Sequence, residues 1–495
     1  MLLNNLIADI EVIKISGKTD LNIRKIEYDS RCVGENDLFV AIAGLEMDGH
    51  EYIQDAVDRG AVAAVVQKEG SCTLPTVIVV PDSRLALANL ANIYYDFPSR
   101  KLKLVGITGT NGKTTTSYMV KSILEADNQK TGLIGTINHY IGNQKIPTSH
   151  TTPESLDLQR LFSEMLKKEV TSVVMEVSSH ALSLERVWGT DFDVALFTNL
   201  GREHLDFHQD MESYRNAKGK LFKMLEDDGK WAILNRDDPY WEFFFKQAKV
   251  PKLSYSMEKK KADVFPQSFS IGFEETKMEL FTPAGEIGIN LKLLGKTNLY
   301  NALASTTTAL ALGIDLDIIK KGLESMPSVP GRMEKIDWGQ KTKILIDYAH
   351  TPDAFLKLLN TIRELTPGKI WMVFGCGGDR DKGKRLEMGR IASDLADYVI
   401  ITQDNPRTED LDEINQQIIE GVRKREKVKI IQDRKEAIQE ALENAEEEDT
   451  VILAGKGHES YQIIGKKKFH FSEREIVENF LKEKGFIPAK SEISV

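Results

Sequence analysis

Twice along this 495-residue chain, short apolar runs alternate with amphipathic stretches, and no other feature constrains the fold as much. The first series, "KLVGIT", "SVVMEV", "VALFTN" and "WAILN", lies between residues 103 and about 240. The second follows "PSVPGRME" (327–334) and reads "KILIDYAH", "KIWMVFGC", "DYVIITQD", "VKII" and "TVILAG". Such alternation predicts parallel sheets covered by helices. The first hundred residues add strand-like "DLFVAIAG" and "TVIVV", with helical stretches near 50–60 and 84–95. Residues 250–293 read as β-rich, followed by a helix from about 297. The prediction is an α/β protein of three domains, 1–98, 99–330 and 331–495, the last two doubly wound in style. "YYDFPSRKLK" (94–103) joins a proline to a basic run and reads as a linker. The chain shows no repeat, heptad or low-complexity tract.

Length alone asks for several domains. A 41% hydrophobic and 28% charged composition is that of a soluble globular chain. No apolar run approaches bilayer-spanning length, and "MLLNNLIADIEVIK" lacks a basic segment with a cleavage site, so a cytoplasmic protein is expected. Cys32, Cys72 and Cys376 are scattered, without disulfide density or metal-ligand spacing. A net charge of −10 argues against a broad nucleic-acid face.

"KLVGITGTNGKTTTSYMV" (103–120) reads as strand, glycine-bearing turn and helix start. Such a turn offers backbone N–H groups to phosphates, with Lys113 for the terminal phosphates and Thr114 for Mg²⁺. The usual pattern places a further glycine at position 107, which is Ile107 here, so the motif is a variant. The plain alternative is a tight strand–helix connection. Hard oxygen ligands for a metal are expected at strand ends of such a sheet. Glu176, at the end of one apolar run, supplies such an oxygen, and His204, just after the next, adds a nitrogen, although each alone also fits a strand-end carboxylate or an ordinary histidine. Lys218, in "YRNAKGKLF", reads by itself as a solvated helix lysine.

"TQDNPRTED" (402–410) has the composition of a turn, with Asn-Pro discouraging helix and Asp410 placed to cap the next one. It also sets Asp404, Asn405, Pro406 and Arg407 at the carboxyl end of an expected parallel strand, where such sheets bind ligands. A guanidinium there can hold a carboxylate through two parallel hydrogen bonds.

"GTNGKTT", "TTP" (151–153), "EVSSHAL", "NLGREHLDFH", "NAKGKLF", "TNLYNALA", "PGRME", "DYAHTPDA", "CGGDRDKGKR" and "GKGHESYQ" occur in the order of Mur ligase motifs. The chain therefore resembles these ATP-dependent amino-acid ligases of peptidoglycan precursor synthesis, from about residue 27 to 465. "YDSR" and "DLFVAIAGLEMDGHEY" resemble members that add the third amino acid or the terminal dipeptide; "DNPR" and "GKGHESYQ" point to the former, in the form that takes meso-diaminopimelate. The resemblance implies a UDP-sugar-binding N-terminal domain, a central phosphate-loop ATPase domain and a C-terminal Rossmann-like domain. It places Gly109, Thr110, Asn111, Gly112, Lys113, Thr114 and Thr115 around the ATP phosphates, and Asn301, Arg332 and Asp347 on adenine and ribose. Glu176 and His204 would hold magnesium, with Lys218 carbamylated by carbon dioxide as a ligand for a second ion. Ser30 matches a UDP-sugar contact, and Thr151, Thr152, Ser178 and Arg186 match contacts to the muramoyl-dipeptide. Arg380, Asp404, Asn405, Pro406, Arg407, Gly455 and Glu459 would receive the amino acid.

Two positions depart from the pattern: Glu203 stands where Asp is common, and Leu184 where some members place a substrate-contacting Gln. The implied protein is a monomeric cytoplasmic enzyme acting on small molecules, with no nucleic acid and no membrane insertion. The alternatives are addition of L-lysine, a phosphate-loop ATPase or kinase, a nucleotide-binding regulator and a folylpolyglutamate-type ligase. A regulator is expected to lose Lys113, Glu176 or His204, and all three are present.

Overall fold

The computed structural model describes residues 1–44, 47–68, 74–148, 150–258 and 261–488. Cys72 and the Leu45–Glu46 part of "GLEMDGH" lie outside these described residues. The chain divides into two compact units, one of residues 1–266, 280–287 and 300–323, the other of 267–279, 288–299 and 324–495.

The first unit holds two sheets. The N-terminal sheet has five strands in the order Lys14–Ser16, Thr76–Val79, Ala61–Val66, Asp37–Val40, Ile26–Glu27, parallel except for the first. The helix Ser83–Tyr94 covers it, started by the Asp82 carboxylate, which accepts from the N–H groups of Arg84 and Leu85. The central sheet has eight strands, ordered Lys252–Tyr255, Trp231–Asn235, Val194–Phe197, Lys103–Thr108, Ser172–Glu176, Thr131–Ile134, His139–Ile141, Gln144–Ile146. Its first six strands are parallel, and the last two return as an antiparallel meander. The inner strands are apolar throughout because helices bury both their faces. Phe162, Phe192, Phe197, Phe222 and Phe244 fill one side, with the Phe197 and Phe244 rings stacked at 3.9 Å.

The expected linker proves to be a packed corner. Pro98–Lys101 form a short 3₁₀ turn in which Pro98 and Ser99 are buried, and the Arg100 guanidinium lies 4.3 Å from the Phe97 ring centroid. Leu102 and Leu104 are buried as well, so the connecting segment is packed into the core. The N-terminal sheet is also joined to the central one: the Tyr28 hydroxyl donates to Asp157 at 2.6 Å, and Arg84 pairs with Glu154 at 3.0 Å.

The second unit contains a six-stranded sheet ordered Glu334–Ile336, Lys343–Asp347, Thr450–Ala454, Ile370–Phe374, Tyr398–Ile401, Val428–Ile430, parallel apart from the first strand. All five apolar runs of the second sequence series are strands of this sheet. The last of them in sequence, Thr450–Ala454, inserts at the centre, a change of direction at which open α/β sheets place ligands, outside the carboxyl ends. The β-rich region supplies strands Phe265–Ile271, Thr276–Thr282 and Gly285–Leu291, and the following helix spans Lys296–Ala311. No helix among the described residues is long and apolar enough to cross a membrane.

A buried ion pair ties the strand ends of this sheet. Arg434 and Glu473 are both inaccessible to solvent; Arg434 Nε and Nη2 donate to Glu473 Oε1 at 2.9 and 2.8 Å. Its remaining donors reach the carbonyls of Ala454, at 2.7 Å, and Gln403, at 3.2 Å. Glu473→Ala leaves that guanidinium buried and uncompensated, and is expected to cost about 3–5 kcal/mol. The check is the urea midpoint followed by tryptophan fluorescence; an unchanged midpoint would show that the pair does not hold the strand ends.

Candidate active site

The loop after Lys103–Thr108 takes its shape from two glycines. Gly109 has φ +149° and Gly112 φ +87°; a Cβ on Gly109 would lie 1.9 Å from Thr198 Oγ1, and one on Gly112 2.7 Å from Asn301 Oδ1. Ile107, where the standard motif has glycine, is instead a fully buried strand residue in register with Glu176 and Leu196. The turn therefore starts two residues later. Gly112 opens the helix Lys113–Ala126, whose first N–H groups point back to the loop. Lys113 Nζ donates to the carbonyls of Gly109 and Thr110, both at 2.9 Å.

The neighbouring strand end braces this loop through residues the sequence reading did not single out. Thr110 N donates to the Asn199 carbonyl at 2.8 Å, Asn111 N to Asn199 Oδ1 at 2.9 Å, and Thr198 Oγ1 to the Asn111 carbonyl at 2.7 Å. Thr110 Oγ1 lies 3.0 Å from the Tyr214 hydroxyl. Asn301 is buried beside the loop and accepts from Thr116 Oγ1 at 3.2 Å.

Glu176 ends the adjacent parallel strand and is almost fully buried. Its Oε2 accepts from Thr114 Oγ1 at 2.9 Å and Thr136 Oγ1 at 3.0 Å, and its Oε1 from Thr136 N at 2.9 Å. Thr136 in turn lies 3.0 Å from Thr151 Oγ1. Thr152 Oγ1 donates to the Glu176 carbonyl at 2.8 Å and accepts from Ser178 N at 3.1 Å, while Arg186 Nη1 donates to the Thr152 carbonyl at 3.2 Å. Thr151, Thr152, Ser178 and Arg186 thus gather around one strand end with Glu176. Thr136 was legible in principle, because it follows the parallel strand Thr131–Ile134. Leu184 caps the short helix Ser179–Ser183 and offers only an apolar side chain. Ser30 is placed elsewhere, buried in a 3₁₀ turn of the N-terminal domain.

His204 adopts left-handed φ +56°, its Nε2 3.7 Å from Glu203, and its ring meets His180 edge-on at 4.8 Å. Burial pushes His204 below the usual histidine range, opposed by Glu203 and reinforced by Lys113 and Lys218. Lys218 is not a solvated lysine. It is 1% exposed on helix Met211–Lys223, and its Nζ donates to the Gly109 carbonyl at 2.9 Å and sits 4.6 Å from the Tyr214 ring centroid. Burial drives its pKa well below the ordinary lysine value, and Lys113 adds to the fall.

No group of three or more His, Cys, Asp or Glu among the described residues is arranged as a ready-made metal cage. Magnesium does not need one, since it keeps several waters and takes one or two carboxylates plus phosphate oxygens. The buried Glu176 carboxylate bonded to the Thr114 hydroxyl fits that demand.

In the second unit, Asp347 ends its strand with Oδ2 accepting from Met333 N and Oδ1 from Ala349 N, both at 2.7 Å. Burial raises its pKa against the opposing charge of Arg332, whose guanidinium lies 4.9 Å from the Tyr348 ring centroid. Asp404, Asn405 and Arg407 follow the strand Tyr398–Ile401, as the turn reading expects. A Cβ on Gly455, at φ +109°, would come within 3.0 Å of Asp404 Oδ2. Asn405 Oδ1 accepts from Ile463 N at 2.9 Å and from Lys456 Nζ at 3.2 Å, so its Nδ2 faces Glu459 Oε2 at 3.0 Å. Lys456, fully buried, also donates to Glu459 at 3.1 Å. Arg407 sits at φ +53°; its N–H donates to Ile463 O at 3.1 Å, its carbonyl accepts from Gly465 N at 2.7 Å, and Nη1 donates to Gly378 O at 2.6 Å. Pro406 is buried and Arg380 exposed. Asp410 caps the helix Leu411–Gly421 as expected.

Residues 22–95 match the description "Mur ligase family, catalytic domain", 107–309 "Mur ligase middle domain" and 331–457 "Mur ligase, glutamate ligase domain". A UDP-N-acetylmuramoyl-L-alanyl-D-glutamate–2,6-diaminopimelate ligase of Clostridium acetobutylicum is 46% identical over 487 residues, covering 98% of this chain and 100% of its own length. The ligase of the same description from Clostridium botulinum is 46% identical over 470 residues, 93% of this chain and 95% of its own. A solved structure of a ligase so described superposes with a TM-score of 0.72 at 29% identity, covering 98% of this chain and all of the other. With its three matched domains and its near full-length relatives, this chain belongs to the Mur ligase family.

Proposed function

We propose that this chain is the ATP-dependent ligase that joins meso-diaminopimelate to the D-glutamate γ-carboxylate of UDP-N-acetylmuramoyl-L-alanyl-D-glutamate, in peptidoglycan precursor synthesis. The observation that carries the reading is Arg407, whose backbone is held at a parallel strand end by two hydrogen bonds and whose guanidinium donates to the Gly378 carbonyl. Meso-diaminopimelate differs from lysine by one carboxylate at its far end, which a guanidinium binds; lysine brings an ammonium, which it repels. A phosphate-loop ATPase or kinase has no use for that turn. The reading places the enzyme in the cytoplasm as a monomer acting on small molecules.

A carboxylate is a poor electrophile because its own charge repels a nucleophile. An oxygen of the γ-carboxylate attacks the terminal phosphorus of ATP, the bond to ADP breaks, and an acyl phosphate forms. The neutral amine of the incoming amino acid attacks the carbonyl carbon, and phosphate departs with a proton released. Residues Gly109 to Thr115 would cradle the phosphates and Lys113 would offset charge on the phosphoryl group in flight. Thr114, Glu176 and His204 would hold magnesium, which supplies positive charge against the phosphate oxygens when bound.

Lys218 fits carbamylation: a buried neutral amine adds to carbon dioxide and loses a proton, giving a carboxylate-like metal ligand where an ammonium would repel the ion. Asn301, Arg332 and Asp347 are assigned to adenine and ribose. Ser30, Thr151, Thr152, Ser178 and Arg186 take the UDP-muramoyl-dipeptide, and Arg380, Asp404, Asn405, Arg407, Gly455 and Glu459 the amino acid. Pro406 shapes that turn.

ADP release should require both the UDP-muramoyl-dipeptide and a free amino acid, with meso-diaminopimelate strongly preferred in an amino-acid panel. Release without any amino acid supports the ATPase alternative, and comparable turnover of L-lysine sinks the specificity. Arg407→Ala should raise the KM for meso-diaminopimelate at least about tenfold, roughly the 1.4 kcal/mol of one charge-assisted contact, with the KM for ATP little changed. An unaltered amino-acid KM would make Arg407 a turn residue only.

A further inference from the structure

Arg385, on helix Gly383–Leu395, is wholly buried although no substrate contact is assigned to it. Its Nη1 and Nη2 grip Glu409 Oε2 and Oε1 at 2.9 and 3.0 Å, and the same nitrogens donate to Gln417 Oε1 at 2.7 Å and the Gly377 carbonyl at 3.1 Å. Glu409 lies two residues beyond Arg407, and its Oε1 also accepts from Asp379 N at 2.6 Å, one residue before Arg380. Asp379 answers from the other side: its carboxylate accepts from Thr408 N at 3.2 Å and from Thr408 Oγ1 at 2.9 and 3.0 Å. Gly378 N closes the join by donating to the Asn405 carbonyl at 2.9 Å.

Two further facts show that the join is tight. A Cβ on Gly378 would fall 1.9 Å from the Pro406 carbonyl, so only glycine lets the loop approach the turn. Asp379 and Arg407 both hold φ +53°, a conformation that side-chain-bearing residues keep only when their surroundings impose it. The Glu409 carboxylate is also compensated in charge. Arg385, with Lys382 Nζ at 3.3 Å, compensates Glu409, so a carboxylate sits close to the turn without repelling an anionic substrate. The Arg385 hydrogen bonds hold the Glu409 carboxyl down to about 2, consistent with a permanently ionised pair.

We propose that Glu409 is a positioning residue for amino-acid selection: through Arg385 and Asp379 it clasps the loop bearing Arg380 to the turn bearing Arg407, and so fixes the two guanidinium groups relative to one another. A substrate with a carboxylate at each end is read by both groups at once; one with a single carboxylate needs no fixed separation. The inference rests on the assignment of this site to meso-diaminopimelate.

The test is steady-state kinetics of Glu409→Ala, Glu409→Gln and Thr408→Val in the full chain, with meso-diaminopimelate and L-lysine as alternative substrates. Glu409→Ala is expected to raise the KM for meso-diaminopimelate about tenfold and leave kcat and the KM for ATP within about twofold, while the weak turnover of L-lysine stays put. Glu409→Gln, which keeps an acceptor for Arg385, should recover part of the loss. Thr408→Val alters an exposed side chain, so folding is not at risk, and should shift the KM about threefold in the same direction. The clasp is overturned if kcat falls with the KM unmoved, if both amino acids are affected equally, or if none of the three variants changes the KM. Should Glu409→Ala fail to fold, Thr408→Val decides by the same criteria. A wild-type enzyme that ignores meso-diaminopimelate defeats the functional reading and the clasp with it; an active wild type with unaffected variants defeats the clasp alone.

Discussion

One backbone carbonyl, that of Gly109, accepts from two lysines, Lys113 Nζ and Lys218 Nζ, each at 2.9 Å. Two ammonium groups on one acceptor repel each other, and Lys218 is sealed from the water that would screen the repulsion. The arrangement is stable if Lys218 gives up its charge, and both burial and Lys113 push it that way. That geometry sets the two lysines apart: Lys113 starts the helix after the loop, and Lys218 is buried against the same carbonyl. The fold is built to hold that carbonyl in place. Thr198, Asn199 and the positive φ of Gly109 fix the loop, and the parallel strand beside it delivers Glu176 to the same edge.

The C-terminal sheet handles charge differently. Its ionic groups at the strand ends are compensated locally: Arg434 by Glu473, Lys456 by Glu459, Arg385 by Glu409. Buried pairs of this kind add little net stability against apolar replacements but are costly to break, so they fix geometry. The central site instead gathers Lys113 and Lys218 on one backbone carbonyl, with Glu176 bonded to the Thr114 hydroxyl on the adjacent strand end. Both use the carboxyl ends of parallel strands, where open α/β sheets gather ligands.

The strands and the phosphate loop were legible in the sequence because their causes are local. Apolar runs of strand length, a glycine pair and a lysine–threonine start need no partner to be recognised. Asp410 as a helix cap and the turn 404–407 were legible for the same reason. Lys218 was not, since its surroundings come from a loop more than a hundred residues earlier, and its ordinary helical context points to solvent. Thr136, Lys456, Arg385 and Glu409 were missed alike: each acts through a tertiary partner distant in sequence. The packing of the 94–103 connection was not legible, because burial of Pro98 and Leu102 depends on tertiary neighbours. The roles given to individual site residues came from resemblance to a family, and the geometry adds which of them share an edge of a sheet.

The chain activates a carboxylate by phosphoryl transfer and hands it to an amine. The most direct measurement uses UDP-muramoyl-dipeptide labelled with oxygen-18 in the D-glutamate γ-carboxylate. For each amide bond formed, a labelled oxygen should leave with the released phosphate. Phosphate free of label, with ATP consumed and product made, would contradict it.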